Sequence, residues 1–154
     1  MGYSIIKKQC ISLIENTNNL ITDLSNVASL LFNNLDDVSW VGFYIRSKGK
    51  LLLGPFCGKP ACTKIDFGRG VCGTSFEKKE TILVKNVHEF EGHIACDSAS
   101  NSEIVVPIFC NNDVIAVLDI DSTSLNRFSN EDKVGLEEIA EIISHSFSKE
   151  QFDL

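Results

Sequence analysis

Five β-rich runs lie between two stretches of helical periodicity, and this order constrains the fold more than any other feature. The runs are 40–46, 50–56, 81–86, 102–109 and 114–120. A block of strands flanked by helices is typical of an α+β layer arrangement, in which helices pack against an antiparallel sheet. We therefore expect residues 1–154 to form a single domain. The N- and C-terminal helices would pack on one face of its antiparallel sheet.

The helical ends carry boundary signals of their own. Apolar residues between Leu20 and Leu35 recur at spacings of three and four, and asparagines at positions 16, 18 and 19 predict a break between two N-terminal helices. Ser129, followed by Asp132 three residues later, predicts the start of the C-terminal helix. The apolar face of this last helix comprises Ile139, Ile142, Ile143 and Phe147.

Two polar connections predict β-hairpins. Ser47-Lys48-Gly49 is interpreted as a three-residue connection with glycine at a left-handed position. The segment 110–113, Cys-Asn-Asn-Asp, joins the last two β-rich runs in the same way. The segments 57–73 and 87–101 have no clear period, and we expect them to form the functional surface.

Composition excludes several classes of function. The net charge of −7 provides no basic surface for nucleic acid or anionic lipid, and we expect neither as a partner. No apolar run approaches the roughly 20 residues that span a bilayer. The first residues lack the basic, apolar and small-residue regions of a signal peptide, so we expect a cytoplasmic location.

Six cysteines leave three interpretations open. Cys57, Cys62, His93 and Cys96 could form a zinc site, but their spacing lacks the close pairs of structural zinc sites. Cys10 and Cys110 fit inert buried thiols, and Cys57 is interpreted in the same way. Cys62, Cys72 and Cys96 lie in loop settings that suit redox chemistry, in which one thiol attacks and another resolves the oxidised sulfur.

Acidic and aromatic residues suggest a pocket. Asp119 and Asp121 lie on one face of the last β-rich run, and the preceding hairpin can bring Glu103 within their reach. They could be solvated acids at strand ends, or they could bind an ammonium group and share a proton. Trp40 and Tyr44, four residues apart in the first run, are core residues or pocket walls.

Several segments together resemble the free methionine-(R)-sulfoxide reductases, which are built on a GAF-like domain. The segments, in order, are GPFCGKPAC, GRGVCG, VHEFEGHIACD, SEIVVPIF and VLDIDS. The resemblance extends from Trp40 to about Glu137 and implies a GAF-like α+β fold, with an antiparallel sheet of about six strands and the N- and C-terminal helices on one face. It also implies thiol-dependent reduction of free methionine-(R)-sulfoxide to methionine.

The resemblance assigns roles to three cysteines. Cys96 in HIACD corresponds to the catalytic thiol, which becomes a sulfenic acid when methionine leaves. Cys62 in GKPAC corresponds to the resolving cysteine, which closes a disulfide with Cys96, and Cys72 in GVCG corresponds to a third cysteine that helps to pass on the oxidation. Cys57 stands where the family more often has Gln, which adds a thiol near Cys62.

The remaining roles concern substrate and reductant. Glu103 and Asp121 correspond to catalytic and substrate-binding acids, Asp119 to a substrate-binding acid, and Trp40 and Tyr44 to the aromatic wall. His93 is assigned a role in shaping the loop or in hydrogen bonding. The resemblance implies no bound cofactor or metal. It implies thioredoxin as the external reductant, with NADPH acting indirectly through thioredoxin reductase.

Two further expectations follow from the resemblance. GAF-like domains often pair through their terminal helices, so a homodimer is one arrangement that it allows. Such domains also serve as ligand-sensing modules without catalysis, which is the alternative function. A sensor would normally be fused to an output domain, for which we expect no room in 154 residues, and the spaced cysteines and acids favour the enzyme.

Overall fold

The computed structural model describes residues 2–94, 96 and 98–146 of the chain, and Phe147 lies outside them. The helices are α1 (Tyr3–Ile14), α2 (Leu20–Asn34), α3 (Gly70–Lys78) and α4 (Asn130–Ser146). The strands are β1 (Trp40–Ser47), β2 (Lys50–Cys57), β3 (Lys64–Asp66), β4 (Ile82–Val84), β5 (Ser102–Cys110) and β6 (Asp113–Ser122). A short 3₁₀ helix covers Val87–Glu89.

The six strands form one antiparallel sheet in the order β3-β2-β1-β6-β5-β4, so the predicted α+β class is confirmed. The connection at Ser47-Lys48-Gly49 is shorter than predicted, because Ser47 pairs with Lys50 and leaves a two-residue turn. Lys48 and Gly49 both have positive φ (48° and 82°), as the favoured two-residue hairpin turns require. The β5–β6 hairpin has the same construction at positions 111–112.

The sheet separates two apolar layers. Because side chains alternate along a strand, Val41, Phe43 and Ile45 of β1 pack into the core that α1, α2 and α4 cover. Trp40 and Tyr44 belong to a second cluster on the opposite face. The predicted packing of the terminal helices on one face is thus confirmed, and the other face is left for the site.

The predicted helix boundaries are also observed. The Asn19 side chain accepts a hydrogen bond from the Thr22 N–H (3.0 Å) and caps α2 after the break at the asparagines. At the start of α4, the Ser129 N–H donates to Asp132 Oδ2 (2.8 Å) and the Asp132 N–H donates to Ser129 Oγ (3.3 Å). This reciprocal pair is a capping box. None of the described helices is both long and apolar enough to cross a membrane.

Helix α3 was not predicted, since its first residues fall in the segment 57–73 that has no clear period. Two glycines in its nine residues, Gly70 and Gly73, weaken its intrinsic helix propensity. Packing accounts for one of them, because a Cβ at Gly73 would lie 2.4 Å from the carbonyl oxygen of Asp66. The close approach of α3 to the end of β3 places Cys72 beneath the second face of the sheet.

Candidate active site

The acids and the aromatic residues predicted from the sequence lie in register on one face of three neighbouring strands. Trp40 of β1 pairs with Asp121 of β6, which in turn pairs with Glu103 of β5. Asp119 lies two residues along β6, on the same face as Asp121. The sheet thus brings together the acids that the sequence placed on separate runs.

Trp40 forms the centre of an aromatic wall beside these acids. Its ring stacks against Tyr44 (6.1 Å between centroids) and Phe56 (5.3 Å). Gly42 makes this possible, because a Cβ at that position would lie 2.4 Å from the Trp40 ring. Trp40 and Tyr44 are almost fully buried, so they are both core residues and cavity lining.

Two hydrogen bonds from the aromatic wall hold the loop that follows β2. The indole N–H of Trp40 donates to the carbonyl oxygen of Lys59 (3.0 Å). The hydroxyl of Tyr44 donates to the carbonyl oxygen of Cys62 (2.9 Å). Cys62 is thereby positioned over the face of the sheet by backbone contacts that do not depend on its own side chain.

Cys62 and Cys96 form a disulfide, with their Cα atoms 5.4 Å apart and 34 residues of sequence separation. The loop that carries Cys96 is anchored at its far end, where the Asn101 N–H donates to the Ser122 carbonyl oxygen (2.8 Å). Ile94 of this loop packs over Gly70, at the start of α3. The bond therefore joins the two segments expected from the sequence to form the functional surface.

Cys72 lies beneath this disulfide, in the first turn of α3. Its side chain is buried and interacts with Asp119 through a hydrogen bond. Burial, followed by the negative charges of Asp119 and Glu103, raises the pKa of the Cys72 thiol well above its ordinary value. Cys72 is therefore a protonated thiol at neutral pH in this structure, unlike an activated nucleophile.

Glu103 and Asp119 are both buried, at 6% exposure each, and their ionisation is strongly disfavoured. Burial and the charge of Asp121 raise the pKa of Glu103 to about 8. Burial and the charge of Glu103 raise the pKa of Asp119 well above its ordinary value. The pair therefore holds protons at neutral pH, and such a group can donate a proton to a bound oxygen.

His93 lies at the edge of the acids, with Nε2 3.7 Å from Glu103 Oε1. Partial burial lowers the pKa of its imidazole, against the opposing effect of the Asp119 charge. A neutral imidazole beside a protonated carboxyl group suits hydrogen bonding better than charge neutralisation. The predicted role of His93, in shaping the loop or in hydrogen bonding, stays a prediction.

The disulfide, the aromatic wall and the acids surround a cavity of about 40 Å³. This volume holds a few water molecules at most and is too small for a whole amino acid. A larger, more open groove of about 1280 Å³ runs along α4, but its lining contains none of the predicted site residues. The small cavity is therefore the candidate site, seen with its disulfide closed.

The other cysteines lie away from this cavity. Cys57 packs with the helix-covered core on the opposite face of the sheet, as do Cys10 and Cys110. The zinc site considered from the sequence is not assembled, because Cys57 faces away while Cys62 and Cys96 are bonded to each other. The interpretation of Cys57 as a packing residue agrees with this position.

Sequence reasoning missed three polar residues that line the cavity: Lys59, Arg69 and Ser100. Ser100 is 5% exposed, and its hydroxyl has no hydrogen-bond partner among the described residues. Nothing in the local sequence distinguishes Ser100 from its neighbouring serines, because its burial depends on how the loop folds back onto the sheet. Lys59 lies between β2 and β3 and Arg69 between β3 and α3, in connections whose paths periodicity does not predict.

Comparison with known proteins places this site in a family. Residues 21–147 match the model of the GAF domain family. The free methionine-R-sulfoxide reductase of Escherichia coli is 44% identical over 137 residues, which cover 89% of this chain and 83% of that protein.

Solved structures are similar over nearly the whole chain. The fRMsr of Staphylococcus aureus in complex with substrate is 49% identical, with a TM-score of 0.90 and 95% of each chain covered. The free methionine-R-sulfoxide reductase of Neisseria meningitidis, in complex with its substrate, is 40% identical with a TM-score of 0.92; the match covers 96% of this chain and 89% of that one. This chain therefore belongs to the GAF domain family and, within it, to the free methionine-R-sulfoxide reductases.

Proposed function

We propose that this chain reduces free methionine-(R)-sulfoxide to methionine in the cytoplasm, with thioredoxin as the external reductant. The observation that carries the proposal is the Cys62–Cys96 disulfide beside the buried acids and the aromatic wall. A disulfide between two surface loops, above a set of protonated carboxyl groups, combines the two components that sulfoxide reduction requires.

The first step needs a thiolate and an acid. The Cys96 thiolate attacks the sulfoxide sulfur while a carboxyl group protonates the sulfoxide oxygen, because that oxygen leaves poorly unless it is protonated. Methionine departs with the electron pair, and Cys96 retains the oxygen as a sulfenic acid. Glu103 and Asp121, paired across β5 and β6, are the proposed acids.

The second step regenerates the thiol. The Cys62 thiolate attacks the sulfenic sulfur of Cys96, water leaves, and the disulfide seen in the structure forms. A dithiol reductant then reduces this disulfide and is itself oxidised, and thioredoxin, recycled by NADPH through thioredoxin reductase, is the proposed reductant. A relay role for Cys72 stays a prediction, since its thiol is buried beneath the loops.

The substrate is a free zwitterion, and the cavity has groups for each part of it. The proposed acids, with Asp119, offer carboxyl oxygens that accept hydrogen bonds from an ammonium group, while Trp40 and Tyr44 suit the methyl end. Reduction of the disulfide has to enlarge the cavity before a substrate enters, because about 40 Å³ is too small. A closed disulfide would therefore exclude substrate until the reductant has acted.

A homodimer through the N-terminal helices is a second part of the proposal. Three isoleucines on α1 and α2 are exposed: Ile5 (51%), Ile11 (46%) and Ile21 (67%). Pairing of these helices would remove apolar surface from water. Sedimentation of the wild type and of an Ile11→Lys, Ile21→Lys variant tests this, and a wild type that sediments as a monomer contradicts it.

The deciding experiment is a stereospecific turnover assay. With thioredoxin, thioredoxin reductase and NADPH, the purified protein should oxidise NADPH on free methionine-(R)-sulfoxide and hardly at all on the (S) epimer. Absence of turnover on the free (R) form, with a chemical dithiol as well as with thioredoxin, would falsify the proposed reductase activity. The alternative function, ligand sensing without catalysis, would then be favoured. Turnover with the chemical dithiol but not with thioredoxin would contradict thioredoxin as the reductant and leave the reductase activity standing.

A further inference from the structure

One group of side chains in the cavity has the composition of a metal site. Single ligand atoms of Cys72, Glu103 and Asp119 all lie within 4.8 Å of one another, and all three residues are buried. Among the residues that the structure describes, no other group of three such side chains meets this distance. We refer to these three residues as the Cys72 cluster.

Three different elements contribute to the Cys72 cluster. Cys72 comes from the first turn of α3, Glu103 from β5 and Asp119 from β6. The two strands are hydrogen-bonded neighbours, and α3 packs across them. Ligands held on regular elements keep their positions better than ligands on loops, as a defined coordination site needs.

Polar atoms beside the cluster lack partners. Asp119 Oδ1 is buried and has no hydrogen-bond partner among the described residues, and the same is true of Ser100 Oγ in the same cavity. A buried polar atom without a partner costs free energy, so the site favours a ligand that satisfies these oxygens. A cation would be coordinated by Asp119, and a water molecule bound to the cation would form a hydrogen bond with Ser100.

We propose that the Cys72 cluster binds a thiophilic divalent cation of the Zn²⁺ class, with Cys72, Glu103 and Asp119 as the protein ligands. One sulfur and two carboxylate oxygens are ligands that Zn²⁺ accepts, and three protein ligands leave a fourth position for water. Mg²⁺ and Ca²⁺ prefer all-oxygen sites, so the sulfur selects against them. His93 lies at the rim, 3.7 Å from Glu103, and is an alternative fourth ligand.

Metal binding at this cluster is a proton exchange. The ligands bind a divalent cation as a thiolate and carboxylates, so the protons that they give up pass to the solvent. No oxidant or reductant is needed for this exchange.

The cation site does not depend on the reduced state of the other cysteines. Cys62 and Cys96 are bonded to each other, while Cys72 remains a free thiol. The cavity of about 40 Å³ has room for an ion with one or two waters although it excludes an amino acid. Metal binding can therefore be measured on the disulfide form, without a thiol reductant that would itself bind the metal.

The proposal goes beyond sulfoxide reduction but uses some of the same acids. If the proposed function holds, the cation occupies the position of the substrate ammonium and inhibits turnover in competition with the sulfoxide. The two proposals nevertheless fail separately, because metal binding is measured without substrate and turnover is measured in metal-free buffer.

The experiment is a titration of the oxidised protein with Co²⁺ as a spectroscopic substitute for Zn²⁺. We expect saturable binding of one ion per chain, with a near-ultraviolet charge-transfer band from thiolate to cobalt, and displacement of the cobalt by Zn²⁺. Cys72→Ser should abolish the band and weaken binding roughly tenfold or more, since even residues outside the ligand shell contribute about 10–100-fold. The matched control, Cys110→Ser, changes a half-buried free thiol outside the site and should bind as the wild type does.

Two results would overturn the proposal. One is the absence of saturable binding to the folded wild type; the other is a charge-transfer band that persists in Cys72→Ser, which would assign the metal to another thiol. Circular dichroism checks that Cys72→Ser is folded. If it is not, Asp119→Asn keeps the thiol and the side-chain volume, and unchanged cobalt affinity in that variant would also overturn the proposal.

Discussion

Burial sets the charge of the side chains that matter most in this molecule. Glu103 and Asp119 lie diagonally across neighbouring strands with 6% exposure each, so water does little to stabilise their charged forms. The Cys72 thiol faces the same acids and is held in its neutral form. At neutral pH these buried groups are therefore protonated. Their protons can be donated to a sulfoxide oxygen or displaced by a cation.

This burial makes stability depend on pH. The pKa of Glu103 is about 8 in the folded protein and 4.5 for the free side chain, so the folded state binds more protons in this interval. The free energy of unfolding should then fall as pH rises from 5 to 8, with Glu103 alone contributing up to about 1.4 kcal/mol per pH unit. Denaturant unfolding at several pH values measures this slope.

The variant Glu103→Gln should have a smaller slope, because the amide does not titrate. Asp119 retains part of the effect, since its pKa is also raised. Glu89→Gln, which changes an exposed acid in the 3₁₀ helix, serves as the matched control and should retain the wild-type slope. If Glu103→Gln keeps the wild-type dependence of the free energy of unfolding on pH, that dependence comes from another titrating group.

Replacing each of the two bonded cysteines singly by serine should separate the two steps of the reaction, sulfoxide reduction and disulfide formation. Cys96→Ser removes the attacking thiolate, so even a single turnover should be lost. Cys62→Ser should still release one methionine per chain from free methionine-(R)-sulfoxide and then stop, because no disulfide forms. Quenched-flow measurement of released methionine distinguishes the variants. Loss of the first turnover in Cys62→Ser, with a burst in Cys96→Ser, would reverse the two roles.

At the scale of elements, strand alternation and hairpin register place the site. The pairing of Trp40 with Asp121, and of Asp121 with Glu103, forms one row across β1, β6 and β5. A slip of one residue in either pairing would turn an acid into the helix-covered core. The two-residue turn at 111–112 limits a slip between β5 and β6, because turn length determines register.

Gly42 is the position on β1 where a small change should damage the aromatic wall. An alanine Cβ would lie 2.4 Å from the Trp40 ring and 2.5 Å from Phe56 Cβ, so the stack has to move. We expect Gly42→Ala to lower the free energy of unfolding by about 1–3 kcal/mol, as overpacking does. Urea unfolding, followed by the fluorescence of the only tryptophan, measures the change.

The control for this variant is Gly2→Ala, where an added Cβ meets nothing within 4 Å. Its stability should stay close to that of the wild type. If Gly42→Ala is as stable as the wild type, the aromatic wall accommodates the added methyl group without cost, which would contradict this prediction.

At the scale of the whole molecule, one covalent bond joins the two loops that close the site. The Cys62–Cys96 disulfide joins segments that are 34 residues apart and covers the cavity. Closing a loop of this length restricts the unfolded chain, which stabilises the folded state by about 2–4 kcal/mol. The bond is therefore expected to contribute to stability.

Reduction of the disulfide should lower the melting temperature of the wild type, because the unfolded chain regains its freedom. Thermal unfolding with and without a dithiol measures the difference. The double variant Cys62→Ser, Cys96→Ser should melt near the reduced wild type and should not respond to the dithiol. A wild-type melting temperature that is unaffected by reduction would contradict this account of the bond.

Much of the architecture was predictable from local patterns. The helical spacing between Leu20 and Leu35, the capping pair at Ser129 and Asp132, and the alternation along the β-rich runs act over a few residues, and each was confirmed. The same alternation correctly placed Asp119 and Asp121 on one face. The predicted length of the first hairpin turn was wrong, because the pairing of Ser47 with Lys50 depends on both strands at once.

What the sequence determined by itself was the α+β layering, the face of each strand and, through its motifs, the family. Only the tertiary structure decided that Cys57 faces the helices, that Cys72 lies in a helix beneath Asp119, and that Ser100 enters the cavity. These outcomes depend on where two aperiodic loops meet the sheet. The charge states depend on it as well, because desolvation is a property of the folded surroundings and not of neighbouring residues in the chain.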